Sequence, residues 1–375
     1  MTTNDEKQEV KEGIVKRSLK QMIVPILAIV TALAIGAIII MVTSGSLAEG
    51  AGKVVDGYGG MLYGAFLKPN GLLNTLVATT PLILLGLAVA IPFRTGLFNI
   101  GANGQFLIGA LVGTIAGIYL PLPPVIHAIV VMACGFLGGA LWGFIPGILR
   151  ARLGAHEVIN TIMLNFIAVG IVNYAVREVF RDPNTTSVRT YYIQESAYLM
   201  RLSGRFNLGF FIAVLVAILI FYYLFKTTWG FSLRTTGQNP NAAKYAGIRP
   251  TWEYVIAMML GGGLAGLAGI VEVQGLDRFL TEGNTSLGFT AIAVSLLGLN
   301  HPLGIIPAAF VFGALRTGGD YLQIRAGLSV HIVAILQALI LLFVAAPTIV
   351  RWYLDKFKIQ VSAGEETTIS QGWGG

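Results

Sequence analysis

The stretch GLFNIGANGQFLIGAL, residues 96–111, places three amide side chains among four glycines inside a long apolar region. Asn99 and Asn103 are four residues apart, so they share one face if the segment is helical, whereas Gln105 points elsewhere. A buried amide without a partner costs roughly 1–3 kcal/mol, so each needs a neighbouring helix or a polar ligand. The partners are predicted to be other helices or a polar, uncharged solute, and for any single amide the interhelical hydrogen bond is the favoured interpretation.

A second interrupted segment, residues 283–304, breaks another apolar region at Gly298, Asn300 and Gly304. Paired interruptions in two halves of a membrane chain predict a solute site near the midplane, because non-helical backbone is tolerated there only where it lines a cavity or is buried in protein. The alternative is that the glycines simply allow close helix packing. The first interpretation predicts a translocation path lined by Asn99, Asn103, Gln105, Asn160, Asn165, Phe289 and Ser295.

The elements that position these groups are predicted to be membrane helices. The 375-residue chain is 55% hydrophobic and only 11% charged, against about 25% charged in soluble domains. Apolar runs long enough to cross a bilayer predict an all-α polytopic membrane protein with about 8–10 transmembrane helices, including glycine-broken or re-entrant segments, in two loosely related halves. The predicted spans are 22–42, 72–91, 98–120, 125–149, 158–180, 208–225, 252–273 and 330–350, with an interrupted region at 287–315.

Basic residues set the predicted orientation. The connection 226–250 carries Lys226, Arg234, Lys244 and Arg249 but no acidic residue, so the positive-inside rule places it and both termini in the cytoplasm. The net charge of +7 follows this pattern and does not predict nucleic-acid binding. Segments 43–70, 181–205 and 272–286 then face outward. Parity requires 287–315 to enter and return, as a re-entrant pair or as two short helices.

Three regions follow from this topology. Residues 1–21 form a cytoplasmic N-terminal tail, 22–350 form the permease domain with its cytoplasmic loop 226–250, and 351–375 form a cytoplasmic C-terminal tail. The first span has an apolar core longer than the 7–15 residues typical of a signal peptide. We therefore expect a retained anchor rather than a cleaved leader, although Ser46-Leu47-Ala48 resembles a cleavage site.

Enzyme motifs are missing from the sequence. No G-x-S-x-G elbow occurs, and His156-Glu157 opens a zinc-protease pattern that Asn160 leaves incomplete. Acidic residues lie near span ends, whereas a proton-coupled carrier normally needs one at mid-depth. No P-loop is present, so any ATP must be bound by another chain. The sequence predicts no enzyme activity, no metal and no bound cofactor, and Cys134 is interpreted as a packing residue.

The basic loop contains a short helix signal. Asn239 is a predicted N-cap before Pro240 at the first helical position, and Gly247 is a predicted stop. A short helix with the small residues Ala242, Ala243 and Ala246 suits docking into a groove on a partner protein. The alternative is an ordinary amphipathic loop helix, which spacing alone does not exclude.

The loop also resembles a known family. The pattern G-x-N-x-x-A-A-x-x-A-G-I at 237–248 is similar to the coupling-loop signature of ABC importer permeases for branched-chain amino acids, ribose-type sugars and nucleosides. Its matching positions are Gly237, Asn239, Ala242, Ala243, Ala246 and Gly247. Stretches 96–110, 159–168 and 288–315 resemble the nucleoside (simple-sugar-like) branch, and the resemblance covers about 72–350. In that branch position 103 is often acidic, so Asn103 puts the usual substrate preference in doubt.

The resemblance implies a set of partners. It predicts a permease subunit that pairs with a second permease chain, related or identical, on a separate ABC ATPase subunit. An extracellular solute-binding lipoprotein would deliver the cargo, expected to be a nucleoside, through a bacterial cell membrane. The outward loop 181–205 is interpreted either as a docking surface for that lipoprotein or as a solvated loop. A ring at Phe289 would suit stacking on a base.

Other functions remain open at this stage. A self-sufficient secondary transporter or channel for a small polar solute would need no docking helix and would tolerate polar disruption at 242–247. An ABC permease for a simple sugar would share the same architecture. A structural membrane scaffold would leave the paired interruptions unexplained.

Overall fold

The computed structural model describes residues 25–283, 287–329 and 331–346. The predicted tails, 1–21 and 351–375, lie outside the described residues. The helices are α1 (Pro25–Thr43), α2 (Leu47–Leu62), α3 (Gly71–Arg94), α4 (Ala102–Tyr119), α5 (Ile126–Leu153), α6 (Glu157–Tyr174), α7 (Gly209–Lys226), α8 (Thr228–Gln238), α9 (Pro240–Tyr245), α10 (Pro250–Glu272), α11 (Leu287–Leu297), α12 (Pro302–Ala326) and α13 (His331–Ala345). Short π-helical turns, Tyr63–Leu67, Ala175–Val179 and Val273–Asp277, extend α2, α6 and α10.

The membrane architecture confirms the predicted fold class. In the described ranges, eight helices are long and apolar enough to cross a membrane, and α11 and α13 are shorter apolar helices. Each predicted span corresponds to one of these ten helices, with boundaries shifted by a few residues. Strand structure in the same ranges is confined to a short hairpin, β1 (Arg201–Ser203) and β2 (Phe206–Asn207), and to isolated bridges. The chain is therefore an all-α polytopic membrane protein.

Four helices, α3, α4, α5 and α10, form the centre of the bundle. Helix α5 carries glycines four residues apart, at Gly135, Gly139, Gly143 and Gly147, which form a stripe on one face. Against it lie Gly262 and Gly266 of α10, and a side chain added at Gly139 would press into the backbone carbonyl of Gly262. In a membrane, such stripes let backbones approach closely and replace the hydrophobic effect as the source of helix association.

The region 287–315 differs from the sequence expectation. We predicted a re-entrant pair or two short helices, but only the first member is short. Helix α11 has 11 residues, about 16 Å at 1.5 Å per residue, or half of the hydrocarbon core. Helix α12 has 25 residues and is a full span. A sharp turn at Leu299 and Asn300, both with positive φ, separates the two helices. Because both helices are apolar, composition alone did not show that one is short and the other long.

Basic residues gather at one end of the bundle, which we call the basic end. Arg94 ends α3, Arg150 lies in the last turn of α5, and Lys226 ends α7. Helices α8 and α9 lie at the same end, because Gly237 of α8 contacts the backbone of Arg94. We predicted α9 but not α8.

The loop 181–205 is tied down at the opposite end. Backbone hydrogen bonds join Thr190 to Leu280, Ile193 to Arg278 and Gln194 to Gly117, each at 2.9 Å. Across the same surface, Arg177 forms an ion pair with Glu282. The loop is therefore a fixed part of this end of the molecule.

Candidate translocation site and docking helices

The first interrupted segment turns back into the bundle between α3 and α4. Gly96 adopts φ +80°, a left-handed conformation that favours glycine, and α4 starts only at Ala102. Asn99 therefore precedes the helix, and it does not share a helical face with Asn103. Its amide nitrogen donates to the carbonyl of Ala88 at 3.2 Å, six residues before α3 ends, so Asn99 lies about 9 Å above that end at 1.5 Å per residue.

Asn99 repairs a gap in α3. The carbonyl of Ala88 would normally accept a hydrogen bond from the residue four positions later, but that residue is Pro92, which has no N–H. The Asn99 amide supplies the missing donor. Its oxygen accepts from the N–H of Gly101 at 3.1 Å. The side chain thus stabilises the end of one helix and the turn before the next.

Asn99 and Gln105 form a reciprocal amide pair. The nitrogen of Asn99 donates to the oxygen of Gln105 at 2.8 Å, and the nitrogen of Gln105 donates to the oxygen of Asn99 at 3.2 Å. Both side chains are buried. Because each amide satisfies the other, the pair closes the turn without a ligand.

Asn165 holds the first turn of α4 from the side of α6. Its oxygen accepts from the N–H of Gly104 at 2.8 Å, and its nitrogen donates to the carbonyl of Ile100 at 2.9 Å. These contacts place α6 against the point at which α4 begins. Sequence reasoning identified Asn165 but did not predict that both of its polar atoms bond the opening segment.

The two interrupted segments meet at Asn103. The oxygen of Asn103 accepts from the N–H of Gly288, the second residue of α11, at 3.4 Å. A side chain added at Gly288 would collide with the backbone of Asn103. The first turns of α4 and α11 therefore converge, and their positive dipole ends face a common region inside the bundle. Gly288 is a site residue that the sequence analysis did not single out, although it lies at the start of the stretch 288–315.

The remaining predicted path residues occupy different settings. Ser295 is fully buried and donates to the side-chain oxygen of Asn300 at 2.8 Å. The amide nitrogen of Asn160 is buried and has no hydrogen-bond partner among the described residues. Phe289 is half-exposed. The structure thus brings Asn99, Gln105, Asn103 and Asn165 together, and leaves Phe289 at the surface of the single chain.

A small cavity lies at the end opposite the basic end. It has a volume of about 10 Å³ and is lined in part by Asn207, Glu272 and Thr80. That is the room of one water molecule, whereas small-molecule sites measure about 300–1,000 Å³. The cavity does not include any of the predicted path residues.

Helix α9 begins as the sequence predicted. The oxygen of Asn239 accepts from the N–H groups of Asn241 and Ala242, both at 3.0 Å, and Pro240 follows as the first helical residue. Gly247 has φ +82° and follows the helix. The cap confirms the local interpretation, because it depends only on neighbouring residues.

The small residues of α9 do not all face outward. Ala243 is 0% exposed, whereas Tyr245 is 95% exposed, and Ala242, Ala246 and Gly247 are also exposed. Ala243 therefore packs inside the chain and offers no surface to a partner, contrary to our expectation for that residue. Gly237 packs on the backbone of Arg94 and Thr95, so its role lies inside the chain too.

Comparison with known proteins identifies the family. Residues 71–345 match the family described as branched-chain amino acid transport system permease components. The chain belongs to this family. The permease is accordingly a transport component rather than an enzyme, and ABC permeases of this kind operate with an ATPase and a solute-binding partner.

Three curated relatives resemble the permease over most of their length. The guanosine ABC transporter permease protein NupP of Bacillus subtilis is 38% identical over 92% of this chain and 99% of its own. The nucleoside ABC transporter permease protein NupB of Lactococcus lactis is 34% identical over 93% and 97%. The glucose ABC transporter permease protein TsgB13 of Haloferax volcanii is 32% identical over 85% and 86%. No solved structure matches the chain.

Asn103→Asp is expected to leave the permease folded. The carboxylate keeps an acceptor for the N–H of Gly288, and the two helix N-termini beside it offset part of the cost of burying its charge. Asn103→Leu removes that acceptor and should lower the melting temperature in detergent. Equal losses for both variants would show that the acceptor is unimportant. A change in solute preference confined to Asn103→Asp would indicate contact with the cargo.

Proposed function

We propose that this permease forms the membrane path of a bacterial ABC importer for nucleosides. The observation that carries the proposal is its near full-length similarity to a guanosine and a nucleoside ABC permease, which includes both interrupted segments. The similarity to a glucose permease makes a simple sugar the second candidate. Both cargoes are polar and uncharged at neutral pH, in agreement with a path rich in amides and backbone groups.

The proposed path runs past the point where α4 and α11 begin. Asn99, Gln105 and Asn165 brace the first interrupted segment, and Asn103 joins it to the second, so we assign these four amides a supporting role around this point rather than direct contact with cargo. Phe289 is half-exposed and has a face available for stacking on a base. Phe289 lies at the surface of the single chain, so a second permease chain, related or identical, is proposed to supply the remaining walls of the path.

The proposed site for the ATPase is the exposed face of α9. Ala242 and Ala246 present a small, flat surface there, and the side chain of Tyr245 projects almost completely into the surroundings. An aromatic residue projecting from a short helix is a typical anchor for a groove on a partner. ATP would be bound by that partner and not by this chain.

The proposed orientation places the basic end, and with it both termini, in the cytoplasm. The fixed loop 181–205 then faces outward, where a solute-binding lipoprotein would dock. Arg181, Arg201 and Arg205 are exposed on it, which suits contact with an acidic surface.

Guanosine uptake by cells that carry Ala242→Glu tests the function. A charged side chain on the exposed face of α9 should block engagement of the ATPase and abolish uptake of radiolabelled guanosine, with the amount of permease in the membrane unchanged. Ala51→Glu is the matched control, because Ala51 is exposed on α2, far from the basic end. It should leave uptake at the level of the unmodified permease.

Ala243→Glu separates docking from folding. This residue is buried, so its variant should reduce the amount of folded permease instead of blocking a folded one. Normal uptake with Ala242→Glu would contradict the docking role of α9 and favour a self-sufficient carrier. Uptake of radiolabelled glucose but not of guanosine by the unmodified permease would reassign the cargo and leave the mechanism in place.

A further inference from the structure

A cluster at the basic end connects the docking helices with both interrupted segments. It consists of Arg94 at the end of α3, Phe225 in α7, Arg234 in α8 and His301 before α12, and we call it the Arg94 joint. The guanidinium carbons of Arg234 and Arg94 lie 4.9 Å and 5.5 Å from the centre of the Phe225 ring. The rings of His301 and Phe225 are 5.1 Å apart. Residues from α3, α8 and the turn before α12 thus contact one aromatic ring of α7.

Arg94 bonds directly to the turn that ends α11. Its Nε donates to the carbonyl of Asn300 at 2.9 Å, and its Nη2 donates to the carbonyl of Leu299 at 3.4 Å. Leu299 and Asn300 have φ of 57° and 49°, an uncommon conformation outside glycine, so outside contacts must hold it. Ser295 of α11 bonds the side chain of Asn300 and links the helix itself to this turn.

The other side of the joint rests on α8. Arg234 donates from Nε to the carbonyl of Leu224 at 2.9 Å and stacks on Phe225, as described above. Gly237 packs against the backbone of Arg94 and Thr95, and a Cβ added at Gly96 would lie 3.5 Å from the Cα of Gly237. Any displacement of α8 therefore moves the end of α3 and the beginning of the first interrupted segment.

No ion pair in the described part of the chain fixes the Arg94 joint in a single arrangement. Among the described residues, neither Arg94 nor Arg234 has a carboxylate within ion-pair distance, so the two guanidiniums repel each other across one ring. Burial, followed by the charge of Arg94, lowers the pKa of the His301 imidazole. His301 is therefore neutral at pH 7 and adds no third positive charge. The attraction of each guanidinium to the Phe225 ring opposes the repulsion between Arg94 and Arg234. Such a balance is expected where the side chains change their contacts during transport.

We propose that Arg94 is the positioning residue that transmits movement of the docking helices α8 and α9 to the first turns of α4 and α11. The inference rests on the proposed ATP-driven function but not on the identity of the cargo. Its basis is that one side chain bonds the turn after α11, stacks on the ring shared with α8, and ends the helix from which the first interrupted segment departs. Movement at the basic end thereby reaches the place where Asn103 meets Gly288.

The test measures movement of α11 without any solute. The permease is purified with its ATPase in nanodiscs, in a Cys134→Ala background that carries Phe289→Cys as a reporter, and the thiol is labelled with N-ethylmaleimide. Trapping the ATPase with ATP and vanadate should change the labelling rate by ~5-fold or more, the lower end of typical allosteric coupling. Arg94→Gln should abolish this change while basal ATP hydrolysis and co-purification of the ATPase persist.

Two further variants control the test. Arg152→Gln removes an exposed arginine at the same end of the bundle and should keep the full change. Phe225→Leu removes the shared ring without touching the carbonyl bonds and should weaken the change, which covers the case in which Arg94→Gln does not fold. The proposal is overturned if Arg94→Gln keeps the full change, if it loses the ATPase, or if the reporter never responds to trapping. Failure of guanosine uptake would instead reject the cargo and leave this result unaffected.

Discussion

Gly139→Leu is expected to prevent the permease from folding. A Cβ at this position would press into the carbonyl oxygen of Gly262 and into the backbone of Gly266 on α10. Backbone atoms cannot rotate away as side chains do, so α5 and α10 would have to separate. Ordinary overpacking costs about 1–3 kcal/mol, and a leucine against backbone exceeds that range. Size-exclusion chromatography of the detergent-solubilised protein should show aggregate in place of a single peak.

Gly170→Leu is the matched control for this prediction. Gly170 lies in α6, another membrane helix, but a Cβ added there meets no atom within 4 Å beyond its own helix backbone and chain neighbours. This variant should elute like the unmodified permease and melt slightly above it, because replacing a helical glycine stabilises a helix by about 0.5–1 kcal/mol. A folded Gly139→Leu variant would mean that α5 and α10 are not packed backbone to backbone.

Asn99→Leu should be the most damaging change in the interrupted segment. It leaves the amide of Gln105, the carbonyl of Ala88 and the N–H of Gly101 without the partners they have now. Each buried polar group left unpaired costs roughly 1–3 kcal/mol, so we expect a total loss of at least ~3 kcal/mol. A fall in melting temperature in detergent, without added solute, measures this effect.

The double variant Asn99→Leu/Gln105→Leu provides the sharper measurement. When both amides are removed, neither is left buried without its partner. The loss of unfolding free energy should therefore be smaller than the sum of the two single losses, with a coupling of about 0.5–3 kcal/mol. If the single variants kept their melting temperatures and lost only uptake, Asn99 and Gln105 would be cargo contacts, and their supporting role would be wrong.

Several features were predictable because they depend on neighbours along the chain. Each apolar run long enough to cross a bilayer satisfies its backbone within one helix, and the predicted spans correspond to helices in the structure. The cap at Asn239 and the stop at Gly247 are likewise local. The family followed from motifs that are also contiguous in sequence, and the comparisons confirm it. Composition and short-range pattern therefore determined the architecture and the class of protein.

Tertiary structure alone decided the direction in which the polar groups face. From the sequence, Asn99 and Gln105 were candidates for contact with a solute, but they bond to each other and to α3. The missing N–H of Pro92 was visible in the sequence, yet its replacement by Asn99 depends on the turn at Gly96. Similarly, Ala242 and Ala243 are chemically equal neighbours, and only packing of α9 on the bundle buries one and exposes the other.

The reason is that an amide or a small residue can contact another part of the same chain as well as it can contact a ligand or a partner protein. The sequence determines which polar or small side chain is present. Whether that side chain contacts the chain itself or a ligand depends on which backbone segments approach each other from distant parts of the chain. Here the glycine stripe of α5 brings α10 close, and the bond between Asn103 and Gly288 joins positions 185 residues apart. The sequence by itself determined a polytopic permease with two interrupted segments, and the packing of its helices decided which backbone and side-chain groups the amides of those segments bond.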